Sequence, residues 1–151
     1  MTVNIADALK QLLEAAPIIE MDQREIFTRV DLGQRPGTES TVRLRLVSSF
    51  SDRKLTASLE WEVVTQTGGI SYSWRYPKRV VLAQEAQNRF SQKQLAYGFH
   101  AATVVLGRML DESQPSEPGQ PLMVPEAVAD LFDLGYDELR KREESAAANV
   151  G

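Results

Sequence analysis

The stretch from Lys54 to Tyr76, K-L-T-A-S-L-E-W-E-V-V-T-Q-T-G-G-I-S-Y-S-W-R-Y, constrains the fold more than any other part of the chain. Leu55, Ala57, Leu59, Trp61 and Val63 alternate with Thr56, Ser58, Glu60 and Glu62. This is the period of a strand with one apolar face. Gly68-Gly69 follows, and two glycines between β-rich runs suit a tight primed turn, which needs positive φ at both central residues. A turn there sets Val63 opposite Trp74, Trp61 opposite Tyr76 and Glu62 opposite Arg75, with one face aromatic and the other ion-paired. A turn one residue earlier shifts the register and keeps the faces.

Two further strands precede this hairpin. Ile26, Thr28, Val30 and Leu32 alternate with Phe27, Arg29 and Asp31, and after the turn-rich loop 33–40 Val42, Leu44 and Leu46 alternate with Arg43 and Arg45. Matching the apolar sets pairs Asp31 with Arg43, and a turn at Ser51-Asp52 brings Arg43 opposite Glu60. The outer face then reads as a solvated ladder of alternating charge, each pair worth a few tenths of a kcal/mol, up to about one. The expected fold is α+β, a four-stranded antiparallel meander packed on a long helix, with an N-terminal helix and short C-terminal helices.

The helices come from periodicity and caps. Asn4 caps a first helix with Ile5, Ala8, Leu9, Leu12, Leu13 and Ala16 on one face, ended by Pro17. This amphipathic helix packs on the sheet or on a second subunit. The run Arg79 to Leu82 reads equally as a strand end or a helix entry. Ser91 and Gln94 form a capping box, behind which Leu95, Phe99, Ala102, Leu106 and Met109 make a narrow seam. Such a seam packs on the sheet or across a two-fold axis, so these five residues are also candidate oligomer contacts. Gly98 and Gly107 inside this helix mark positions where another segment approaches closely.

Residues 1–112 thus form the helix, sheet and long-helix core of a single domain, and 113–125 a Pro-rich crossover linker. Residues 126–142 carry the C-terminal helices, with Pro125 as first helical residue and Gly135 as a break, and 143–151 a frayed, disordered tail. At 151 residues the chain is long enough to bury about 70% of the surface it exposes when unfolded.

Chemistry is mostly excluded. There is no cysteine, hence no disulfide, thiolate metal site or cysteine nucleophile. His100 is the only histidine and has no partner motif. No phosphate-binding loop, dinucleotide fingerprint, zinc-protease motif or serine elbow occurs. Glu60 and Glu62 share a strand face, neutralised by Arg43 and Arg75. No enzyme, metal or cofactor is expected. A net charge of −4 opposes a nucleic-acid partner, although Trp61, Tyr72, Trp74 and Tyr76 have the composition of a base-stacking platform. Apolar runs are too short to cross a membrane and the first residues lack a signal-peptide pattern, so a cytoplasmic protein with no membrane partner is expected. The aromatic set reads as half core and half interface.

Several short strings, in order, resemble the SecB protein-export chaperone family. T-V-R-L-R-L-V-S-S-F from Thr41 and T-Q-T-G-G-I-S-Y-S from Thr65 are similar to its second and third strands and their turn. The helix end Gly107-Arg108-Met109-Leu110, then P-L-M-V-P from Pro121 and A-V-A-D-L-F from Ala127, are similar to its long helix, crossover and final helix. The resemblance covers about two thirds of the chain. It implies dimers or tetramers that bind unfolded or disordered polypeptide without catalysis. The client surface would comprise Trp61, Tyr72, Trp74, Tyr76, Leu122, Val124, Leu131 and Phe132. The family docks on the SecA motor through an acidic residue that falls near Val64 here, and valine does not supply that contact. The N-terminal helix and Q-L-A-Y-G-F-H from Gln94 are further departures. The alternative is a dedicated adaptor or assembly protein, of host or phage origin, holding one specific partner.

Overall fold

A computed structural model describes residues 5–16, 19–34, 40–67, 69–76, 78–112 and 125–150. Among them the chain forms α1 (Ile5–Ala15), β1 (Glu20–Asp22), β2 (Glu25–Gln34), β3 (Ser40–Ser51), β4 (Lys54–Thr67), β5 (Ile70–Arg75), β6 (Val80–Ala86), α2 (Gln92–Glu112) and α3 (Glu126–Val150). The architecture is α+β, a curled antiparallel sheet of six strands with three helices. The expected four-strand count is therefore too low. Strands β2 to β5 follow one another in the sheet in chain order, and two further strands extend it. Glu20 to Asp22 turns back onto β2, and the ambiguous run from residue 79 supplies β6.

β4 organises the sheet because it is long enough to take two neighbours on one side. Its C-terminal half pairs with β5, from Thr67 opposite Ile70 to Glu62 opposite Arg75. Its N-terminal half pairs with β6, from Lys54 opposite Ala86 to Leu59 opposite Val80. On its other side it pairs with β3 along its length. The β4–β5 register is the first of the two expected, with Val63 opposite Trp74, and the Tyr76 N–H donates to the Trp61 carbonyl at 2.9 Å. Gly69 has φ +81°, the left-handed geometry a tight primed turn requires.

The β3–β4 turn lies one residue later than expected. Asp52 and Arg53 both adopt positive φ, 53° and 59°, and make the two-residue connection themselves. Moving the turn by one residue moves the pairing by two. Arg43 therefore faces Glu62 and Arg45 faces Glu60, while the division into two faces is kept.

The three helices pack on the face of the sheet that carries the odd-numbered residues of β4, α1 over β2 and β3, α2 over β3, β4 and β6, and α3 over β4 and β6. Leu9 and Leu12 of α1, Leu95, Ala102 and Leu106 of α2, and Val128 of α3 are all fully buried with Leu59 and Trp61. Burying a leucine of this kind contributes roughly 1.5–3 kcal/mol. Two buried hydroxyls anchor helices to strands. Thr28 Oγ1 donates to the Ala15 carbonyl at 3.0 Å, and Ser48 Oγ donates to the Leu95 carbonyl at 2.8 Å. At Gly98 an added Cβ would lie 2.7 Å from Ser48 Oγ, so the bare backbone there permits that contact. Half of the expected capping box of α2 forms, with Gln94 N–H donating to Ser91 Oγ at 3.4 Å, while the Gln94 side chain accepts from Gln87 Nε2 at 3.4 Å.

Two expectations for the C-terminus are corrected. Gly135 does not break a helix; α3 is continuous from Glu126 to Val150, through the region read as a frayed tail. The glycine is present for space, since a Cβ there would stand 2.7–3.0 Å from the ring of Trp61.

Candidate binding surface

Each face of the central sheet has a distinct chemistry. The even-numbered face of β4, expected to be a solvated ladder, is buried: Arg45 is 2% exposed, Glu62 6% and Glu60 9%. Curling of the sheet is the cause. Glu25 and Arg75 are three strands apart, about 14 Å across a flat sheet, and are aligned with Thr56 and Glu62 on β4, so they are offset along the strands too, yet their side chains approach to 3.8 Å. Inside this concavity Arg45 meets Glu60 at 3.1 Å, Glu25 at 3.5 Å and Glu62 at 3.7 Å, and lies over the Phe27 ring at 4.3 Å. Arg75 reaches the same three carboxylates at 3.5–3.9 Å. Arg43 is engaged elsewhere, at 2.8 Å from Asp31. The cluster thus gathers three carboxylates around two guanidiniums, a buried ion-pair network with one carboxylate in excess.

The other face carries the aromatic row. Trp61 is fully buried, in edge contact with Trp74 at 5.9 Å and Tyr136 at 5.2 Å between ring centroids. Its Nε1 has no hydrogen-bond partner among the described residues. Trp74 contacts Tyr76 edge-on at 6.1 Å, and both are half-buried. Beyond Trp74 the row leaves the core. Tyr72 is 60% exposed and Ile70 55%, opposite Thr65 and Thr67 on β4. Apolar surface therefore runs continuously from the core out along one edge strand.

Beside this row β6 and α3 bound an open groove of about 510 Å³. Tyr76, Val80, Val81, Leu131 and Leu134 line it, with Lys78, Arg79 and Asp130 at its polar margin. Val81 and Leu134 are partly exposed there.

Only part of the expected client surface lies here. Tyr72 is exposed as such a role requires, and Trp74 and Tyr76 are partly accessible. Trp61 and Phe132 are core residues, at most 2% exposed, because α3 is laid across β4; Leu131, 3% exposed, also belongs to the core and lines the groove from beneath its accessible residues. Leu122 and Val124 lie outside the described residues. The expected oligomer contacts are corrected likewise. Leu95, Phe99, Ala102 and Leu106 are buried against the chain's own sheet, and Met109 packs half-buried beside them. Within this chain the seam packs on the sheet.

Sequence reasoning missed Ile70, Val81 and Leu134 as surface. Ile70 was findable, since it shares the parity of Tyr72 and Trp74 but sits past the end of the helical cover. His100 is exposed on α2, its carbonyl accepting a hydrogen bond from Thr103 Oγ1 at 2.7 Å. Among the described residues no three His, Cys, Asp or Glu side chains converge as a metal site, and no helix is long and apolar enough to cross a membrane.

No family model, curated protein or solved structure matches this chain.

Proposed function

We propose that this protein is a SecB-like chaperone, a non-enzymatic binder of non-native or disordered polypeptide segments. The observation that carries the reading is the run of exposed apolar side chains, Ile70 and Tyr72, continuing the buried aromatic row out of the core. Exposed apolar surface of this kind, bordered by polar groups, is the usual mark of an interaction site. The adjoining groove lengthens it with Tyr76, Val80, Val81 and Leu134. The ordered strings similar to the SecB family support the same reading, and Gly68-Gly69, the best of them, supports it at the hairpin that presents this surface.

The test is suppression of aggregation. A reduced, unfolding client is mixed with the protein and its light scattering followed. The wild type slows aggregation at near-stoichiometric ratio, and Ile70→Ser with Tyr72→Ser weakens the effect without lowering the melting temperature. If the wild type neither binds the client nor slows its aggregation, the chaperone reading is wrong. One folded partner held stoichiometrically, with no effect on unfolded clients, favours an adaptor instead.

A further inference from the structure

β1 lies at one side of the sheet and β5 and β6 share the other, and β1 and β5 are built differently as edges. β1 is three residues long and opens on the charged, exposed Glu20. A short, charged edge is the ordinary protection against pairing with another chain. β5 has no such protection from Ile70 to Trp74: it has six residues, no charge before Arg75, no proline and no bulge. It pairs only with β4 among the described residues, and its first four residues are all exposed.

The register says which backbone groups face outward. Tyr76 N–H donates to the Trp61 carbonyl, so that pair is hydrogen-bonded, and hydrogen-bonded pairs alternate along an antiparallel ladder. Trp74, Tyr72 and Ile70 therefore point their N–H and C=O groups at β4. Ser71, Ser73 and Arg75 point theirs away. Three consecutive outward pairs two residues apart are the complement of an extended backbone, and they specify a strand as the occupant rather than a helix or a small molecule.

The surroundings specify its side chains. Ile70, Tyr72 and Trp74 lie on one face, so alternate residues of an added strand meet apolar surface. Past Arg75, whose own charge is taken up by Glu25, Glu60 and Glu62, the exposed Lys78 and Arg79 have no ion pair among the described residues. They outnumber Asp130 in the adjoining groove.

We infer that the outer edge of β5 is a strand-addition site. It takes an extended segment of a non-native polypeptide, apolar at alternate residues and acidic where it passes Lys78 and Arg79. This deepens the polypeptide-binding reading above and rests on it.

Amide hydrogen exchange on the full chain, with a reduced, carboxymethylated and net-acidic globular protein as client, tests the inference. Ser71, Ser73 and Arg75 amides exchange fast in the free protein and are protected at least tenfold with client, while Tyr72 and Trp74 amides are protected throughout. Ser73→Pro removes an outward N–H and no ladder bond to β4; it lowers client affinity at least tenfold, with the circular dichroism spectrum unchanged. Lys78→Glu with Arg79→Glu also weakens binding. Client binding without new protection at Ser71 and Ser73 overturns strand addition and leaves the chaperone reading standing. Absence of client binding by the wild type overturns both. Protection that grows with protein concentration alone, together with a doubled mass in light scattering, assigns the edge to a second copy and overturns the inference.

Discussion

At residue scale, the glycines of the helices show how one residue type serves opposite ends. Gly135 sits where α3 crosses Trp61, and a Cβ would stand 2.7–3.0 Å from the indole ring, too close for van der Waals contact. Gly107 on α2 has nothing within 4 Å of its notional Cβ. Helix propensity favours alanine over glycine at both by about 1 kcal/mol. At Gly107 that gain is unopposed, so Gly107→Ala raises stability by up to about 1 kcal/mol. At Gly135 the clash is with a rigid, fully buried ring, and overpacking costs about 1–3 kcal/mol, more than the propensity gain. Gly135→Ala is therefore destabilising. Urea denaturation of the two variants checks the pair, and equal shifts of the same sign would mean that α3 does not lie on Trp61 as described.

At the scale of elements, much was legible and the failures have physical causes. Alternation in Leu55 to Val63 located β4 and its buried face, and the Ser91 cap located the start of α2. Both are local signals. Gly135 read as a helix stop because propensity sees only the chain, whereas its reason is a tryptophan 74 residues away. The aromatic row was found correctly as a row, but where α3 stops covering it depends on how helix and sheet meet, which no local pattern encodes. The charged face is the sharpest case. Alternating Arg and Glu on strands reads as solvated, and here curling folds that face onto itself around Arg45. A consequence separates the two descriptions. On a solvated face, loss of either Arg43 or Arg45 would cost at most about 1 kcal/mol. In the concavity, Arg45→Ala leaves Glu60 and Glu62 buried beside Arg75 alone, and removing one member of a buried pair costs about 3–5 kcal/mol. Arg43→Ala, whose partner Asp31 is exposed, stays near the lower figure. Comparing the two denaturation midpoints decides the matter, and a small effect at Arg45 would return that face to solvent.

At the scale of the whole molecule, the middle of the sheet has no face left to offer. Helices cover one side and the curl closes over the other, so accessible apolar surface lies at the periphery: at the β5 edge and the groove beside it, and separately at Ile19, Met21, Tyr97 and Val104. The two tryptophans sit on either side of this boundary, which makes the boundary measurable. Trp61 is enclosed by Trp74, Tyr136 and the backbone at Gly135, while Trp74 stands between the core and the exposed Tyr72. A client lying along β5 thus changes the environment of Trp74 and leaves Trp61 in the same apolar surroundings. In Trp74→Phe, emission comes from Trp61 alone; it is blue-shifted in the free protein and does not move when client is added, although client still binds. The wild type shows a client-dependent shift. If Trp74→Phe instead responds as fully as the wild type, a client reaches Trp61, which requires α3 to lift from β4 and makes the buried row, rather than its exposed end, the working surface.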